Sequence, residues 1–147
     1  MYVLIEDMKP ESERAGLTTQ QLHTEVKGQL RHAGMPVLTK DQAFRVQGAP
    51  YVYVYVHLVP HPIGLTAYCI LVEVNQRASL DRNGSSAYVS TWSVQRLGTV
   101  GSQHLAAVRN DVRGQADHFI NVYRSVNPSP ADRAMPPSTS LHRDPSR

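Results

Sequence analysis

Seven histidines and one cysteine carry the most versatile side-chain chemistry in this chain, and their spacing limits what they can do together. His57 and His61 stand four residues apart, the interval that on a helix brings two imidazoles to one metal ion. Here the interval contains Pro60 and closes a run of alternating residues, so the pair belongs to a strand end. A loop site built from His57, His61 and a distant carboxylate is the metal-dependent or hydrolytic alternative. His23, His32, His104, His118 and His142 fit neither H-E-x-x-H nor a Cys/His finger. The lone Cys69 excludes an internal disulfide and a multi-cysteine zinc site. Between Tyr68 and Ile70 in a hydrophobic run, its thiol is expected to stay neutral and structural. No G-x-S-x-G elbow occurs. Gly98-Thr99-Val100-Gly101-Ser102 precedes a helix but lacks the lysine and the glycine spacing of a phosphate cradle. It reads as a connection with Ser102 as N-cap. Glu11 and Glu13 fall in a polar loop and Asp81 in a turn. Glu73 stands alone on its strand, with Arg77 or Arg96 as a partner if it is buried. No catalytic residue, metal site or cofactor is therefore assigned.

Tyr51, Tyr53, Tyr55 and His57 offer a different kind of chemistry. They alternate with Val52, Val54, Val56 and Leu58, so the pleat of a strand sends the aliphatic set to the core and the aromatic set to the other face. That row is the candidate binding surface. Tyrosines so placed hold a protein partner, stack nucleic-acid bases, or serve as cross-strand neighbours in an ordinary sheet. A net charge of +3 is too small to drive binding to phosphate. A helix, three strands and a helix is also the order of a double-stranded-RNA-binding domain. Such domains open their last helix with lysines, and residues 102–107 contain none. Nucleic-acid binding thus ranks third, behind a protein-binding module, self-association included, and the small enzyme.

The elements that position these residues follow from periodicity. Residues 2–6 form a first strand, and residues 9–14, with Pro10, a loop. Thr18 and Gln21 make a capping box that starts a helix with Leu22, Val26 and Leu30 on one face; Gly34 and Pro36 end it. Residues 35–38 allow a short strand, and Asp41 a brief turn or helix. Strands are expected at 51–58, 66–76 and 87–97, the first ended by Pro60 and Pro62 and the last two joined at Asn83-Gly84. Leu105, Val108, Val112, Phe119, Ile120, Tyr123 and Val126 trace a long amphipathic helix in which Gly114 permits a break or a close contact. The expectation is an α+β fold of order β-α-(β)-β-β-β-α, with two helices on one face of a mainly antiparallel sheet. One domain spans residues 1–127. Half of the ten prolines fall in residues 128–147, with several serines, so that segment reads as a flexible tail ordered only by a partner. No run approaches the roughly 18 apolar residues of a membrane span.

Several stretches resemble a family of small, uncharacterised, mostly exported bacterial α+β proteins. They are Gly16-Leu17-Thr18-Thr19-Gln20-Gln21-Leu22, Ala33-Gly34-Met35-Pro36-Val37, Thr91-Trp92-Ser93, Gly98-Thr99-Val100-Gly101, Val108-Arg109-Asn110-Asp111-Val112 and residues 117–123, closing on Val126-Asn127-Pro128. The family has no assigned activity, so the resemblance implies no catalytic residue. It implies a periplasmic or secreted accessory or assembly protein of the cell envelope. Members usually open with a signal peptide, whereas this chain begins almost directly on its first strand, which leaves a cytoplasmic placement as the alternative.

Overall fold

A computed structural model describes residues 1–128; apart from Pro128, the segment read as a tail lies outside the described residues. The elements run β1 (Tyr2–Ile5), α1 (Pro10–Arg14), α2 (Thr19–His32), α3 (Lys40–Phe44), β2 (Tyr51–His61), β3 (Leu65–Ser79), β4 (Ser86–Gly101) and α4 (Ala106–Val126). The strands form one mixed sheet in the order β1-β2-β3-β4. β1 lies parallel to β2, which the long crossover through three helices allows, and the closely joined β2, β3 and β4 are antiparallel. α2 and α4 pack against each other on one face of the sheet, α2 over β1 and α4 over β3 and β4.

Alternation decides which face is covered. Val52, Val54, Val56 and Leu58 of β2, Tyr68, Ile70, Val72 and Val74 of β3, and Val3 and Ile5 of β1 are all buried. Against them sit Leu22, Val26 and Leu30 of α2 and Val108, Val112, Ala116, Phe119 and Ile120 of α4. The capping box of α2 closes with two 3.2 Å bonds between Thr18 and Gln21, and Gly34 ends the helix at φ 77°.

Several boundaries differ from expectation for physical reasons. Residues 9–14 are not a loop: Pro10 occupies the first turn of α1, where its missing N–H costs nothing, and Glu11 and Glu13 face the helix's positive end. The short strand at 35–38 does not form; that stretch is tied to Met1 by Leu38 N–H donating to its carbonyl at 3.0 Å and by its ammonium donating to the Pro36 carbonyl. β2 does not stop at Leu58 but passes through Pro60 to His61, opposite Thr66 and Leu65. β1 pairs only as far as Val54, so this end of β2 is an edge that tolerates proline. Ser102 does not cap α4: its hydroxyl pairs with Thr66 at 2.9 Å, and the helix starts at Ala106 without a side-chain cap. α3 opens with an unforeseen second capping box, Thr39 with Gln42.

α4 runs unbroken through Gly114, and a methyl built there meets nothing within 4 Å; the same holds at Gly28 in α2. Neither glycine serves a close approach. Gly114→Ala is therefore expected to raise unfolding stability by roughly 0.5–1 kcal/mol, read as a higher denaturation midpoint at unchanged slope.

One polar cluster fastens α4 to the sheet. Tyr68, 8% exposed, lies over Gly98 of β4 and donates its hydroxyl to the Asp111 carboxylate on α4. Arg96 of β4 meets the same carboxylate oxygen at 2.9 Å. The hydrogen bond to Asp111, with burial second, raises the Tyr68 pKa. Arg96 is thus spent on the helix side, and Glu73, half-buried on the opposite face, has no ion pair with it.

Candidate binding surface

Tyr51, Tyr53, Tyr55 and His57 stand together on the sheet face that α2 and α4 leave bare, each half-buried by its neighbours. The register sets Leu4 beside Tyr53 on one side, and Glu73, Leu71 and Cys69 opposite Tyr53, Tyr55 and His57 on the other. β4 continues the face with Ser93, Gln95 and the strongly exposed Leu97. Cys69 belongs to this face rather than to the core, and Gln95 Nε2 donates to its Sγ at 3.2 Å.

Local bonds hold the row in shape. Tyr55 and His57 stack with ring centres 6.0 Å apart and planes 16° apart, and the Tyr55 hydroxyl bonds His57 Nδ1 at 3.2 Å. The Tyr53 hydroxyl donates to Glu6 at 2.8 Å. Burial first, then that bond and the nearby charges of Glu6 and Glu73, pushes the Tyr53 pKa up to about 12. Two carboxylates beside the middle of the row repel phosphate, which weakens the case for a nucleic-acid platform.

In alkaline absorbance titration Tyr53 should ionise late, near pH 12. Tyr53→Phe should remove one late phenol, and Glu6→Gln should bring Tyr53 part of the way down, because burial remains. The folded form keeps the proton that the unfolded chain releases from about pH 10 upward. The stabilising contribution of Tyr53 is accordingly present below pH 10 and lost as pH rises through 12.

At one end of the row the face turns concave. α3 leans over the outer side of β1, opposite the long helices α2 and α4, and leaves a pocket of about 300 Å³ lined by Tyr2, Leu4, Lys40, Phe44, Tyr51 and Tyr88. Tyr51 and Tyr88 meet across β3 with centres 6.0 Å apart at 53°. Ala49, also on its wall, holds a left-handed φ of 41°, a strained backbone for alanine. A larger groove of about 630 Å³ runs between α2 and α4, but its polar groups largely engage one another. Gln29 bonds Asp117 at 2.7 Å, and Arg113 lies 3.9 Å from Glu25.

His57 and His61 both point from β2 to the open face, yet four residues of extended chain place them about 13 Å apart, too far to share one ion. His57 Nδ1 is engaged by Tyr55, and His61 Nδ1 accepts from Ile63 N–H at 3.4 Å. Among the described residues no group of three or more His, Cys, Asp or Glu side chains is placed to hold a metal. The row was legible from its two-residue period. The pocket was not, because it joins Tyr2 and Leu4 to α3 and to Tyr88, residues that only the folded topology brings together.

No family model and no curated protein matches the chain. Among solved structures it is similar to a minor lipoprotein from Acinetobacter baumannii, with a TM-score of 0.44 and 12% identity over 86% of this chain and 94% of that chain. No helix among the described residues is long and apolar enough to cross a membrane.

Proposed function

We propose that this chain is a non-catalytic binding module that holds a protein partner on the bare face of its sheet and serves in assembly at the cell envelope. The observation that carries the reading is the row Tyr51, Tyr53, Tyr55 and His57 on an uncovered face, running into a pocket of about 300 Å³ with aromatic walls. Rigid, half-buried aromatics beside a pocket are what protein interfaces use as anchors, since they bring large contact area and lose little side-chain entropy on binding. Charge supports a protein rather than a nucleic acid, because Glu6 and Glu73 flank Tyr53. Placement at the envelope is supported by the sequence resemblance to exported proteins.

Photo-crosslinking in the native host tests this reading. Benzoylphenylalanine at Tyr55 or Phe44 should give one discrete protein adduct, which the same residue at Arg31 on the exposed side of α2 should not give. Alanine at Tyr51, Tyr53 or Tyr55 should weaken that adduct, at least one of them by about 30-fold in affinity, as loss of an aromatic anchor worth about 2 kcal/mol implies. Equal labelling from Arg31 and Tyr55, or an adduct indifferent to all three alanines, would remove the row from the interface.

A further inference from the structure

The two edges of the sheet are built differently. On one side β1 is only four residues long, and the stretch of β2 beyond it carries Pro60. Short edge strands and proline are devices that keep an edge from recruiting another chain. On the other side β4 is a 16-residue strand with no proline, no lysine and one charge, Arg96. That charge is drawn to Asp111 on the helix side, so it does not guard the edge. Most of the side chains of β4 are exposed, and beyond the sheet one backbone hydrogen bond among the described residues reaches the strand, from His104 N–H to the carbonyl of its last residue, Gly101, at 2.8 Å.

The edge has a centre. A bulge opposite Val74 and Asn75 interrupts the ladder near Thr91, and from Trp92 to Gly101 the pairing is regular. Leu97 lies at the middle of that stretch, 74% exposed on the same face as the tyrosine row. Folding the stretch back on itself about Leu97 gives a self-complementary set. Leu97 meets Leu97 of the second copy, Arg96 meets Gly98, Gln95 meets Thr99, Val94 meets Val100 and Ser93 meets Gly101. No like charges oppose each other, the two valine pairs are favourable β-branched neighbours, and the one long cation faces the position that has no side chain. An unrelated strand would need no such palindrome.

We infer that a second copy of this chain pairs antiparallel along β4, with a two-fold axis at Leu97, to give one continuous eight-stranded sheet. The tyrosine rows of the two copies then lie on one common face. The pairing stands whatever docks on that face. Nine paired residues per copy sit below the roughly 1,200 Å² of a standard interface, so the dimer is reversible and concentration-dependent.

Light scattering behind size exclusion, on the full chain over a series of concentrations, tests it. The wild type should move from 16.3 kDa toward twice that mass as concentration rises. Leu97→Lys and Leu97→Glu should each remain monomeric, since each sets like charges directly opposite at the axis, and an equimolar mixture of the two should recover the dimer. Val126→Lys, at another exposed apolar position, should dimerise as the wild type does. Circular dichroism of the Leu97 variants, whose side chain is exposed, verifies that they fold. A wild type that stays monomeric throughout, single Leu97 variants that still dimerise, or a mixture that stays monomeric would each overturn the inference.

Discussion

Gly98→Ala is expected to destabilise the fold by about 3 kcal/mol, the upper end of what overpacking a filled site costs. A methyl at this position would overlap Cζ and Oη of Tyr68 and come within 2.8 Å of its Cε1. A long side chain at a free surface would swing aside. The Tyr68 ring has no such freedom, because it is buried among Leu58, Ile70 and α4 and its hydroxyl is held by Asp111. Giving way therefore forfeits both packing and the hydrogen bond. Denaturant unfolding of Gly98→Ala, Tyr68→Ala and the double variant separates this mechanism from a general intolerance of β4. With the ring truncated the added methyl has nothing to strike, so Gly98→Ala should cost at least about 1 kcal/mol less in the Tyr68→Ala background. Strictly additive costs would show that the ring and the glycine do not interact.

The same pair shows why some of this structure was readable from sequence and some was not. Tyr68 falls in phase with Ile70, Val72 and Val74, so its burial follows from the two-residue period alone. That Gly98 is the position beneath its ring depends on the register between β3 and β4, which no local pattern specifies. The α2 stripe, its capping box and the alternation in β2 are local properties, and the structure contains all three. Ser102 illustrates the opposite case. A serine before an amphipathic helix reads as a cap, yet the 36-residue separation to Thr66 closes to a hydrogen bond in the fold and takes the hydroxyl away. Pro60 misleads for a related reason. A proline stops a central strand but is harmless on an edge, and that this part of β2 is an edge follows from how short β1 is.

For the candidate surface the division is similar. The period of β2 puts Tyr51, Tyr53, Tyr55 and His57 on one face, but it does not say whether helices cover that face. The fold leaves it bare of α2 and α4 and sets only the small α3 against its β1 corner. His57 and His61, equally suggestive by spacing, lose their joint meaning once the backbone between them is extended rather than helical.

Asp111→Ala is the second large expected effect, and its physics is electrostatic rather than steric. Removing the carboxylate leaves the Tyr68 hydroxyl in a buried site without an acceptor, a loss of about 1–3 kcal/mol. It also leaves Arg96, half-exposed on β4, free to hydrate, so the arginine adds little to that cost. Tyr68→Phe should be milder than Asp111→Ala, since it removes the buried donor together with its bond. Asp111→Ala introduced into Tyr68→Phe should then cost much less than in the wild type, where it strands the hydroxyl. The pH dependence gives an independent check. Asp111 raises the Tyr68 pKa, so the folded state retains a proton that the unfolded chain sheds near pH 10. The stabilisation is complete below pH 10 and declines as pH climbs through the raised value, and the stability gap between wild type and Asp111→Ala should narrow over that interval. A gap that stays constant from neutral pH into strong alkali would mean that Asp111 fastens α4 to the sheet by some contact other than the Tyr68 hydroxyl.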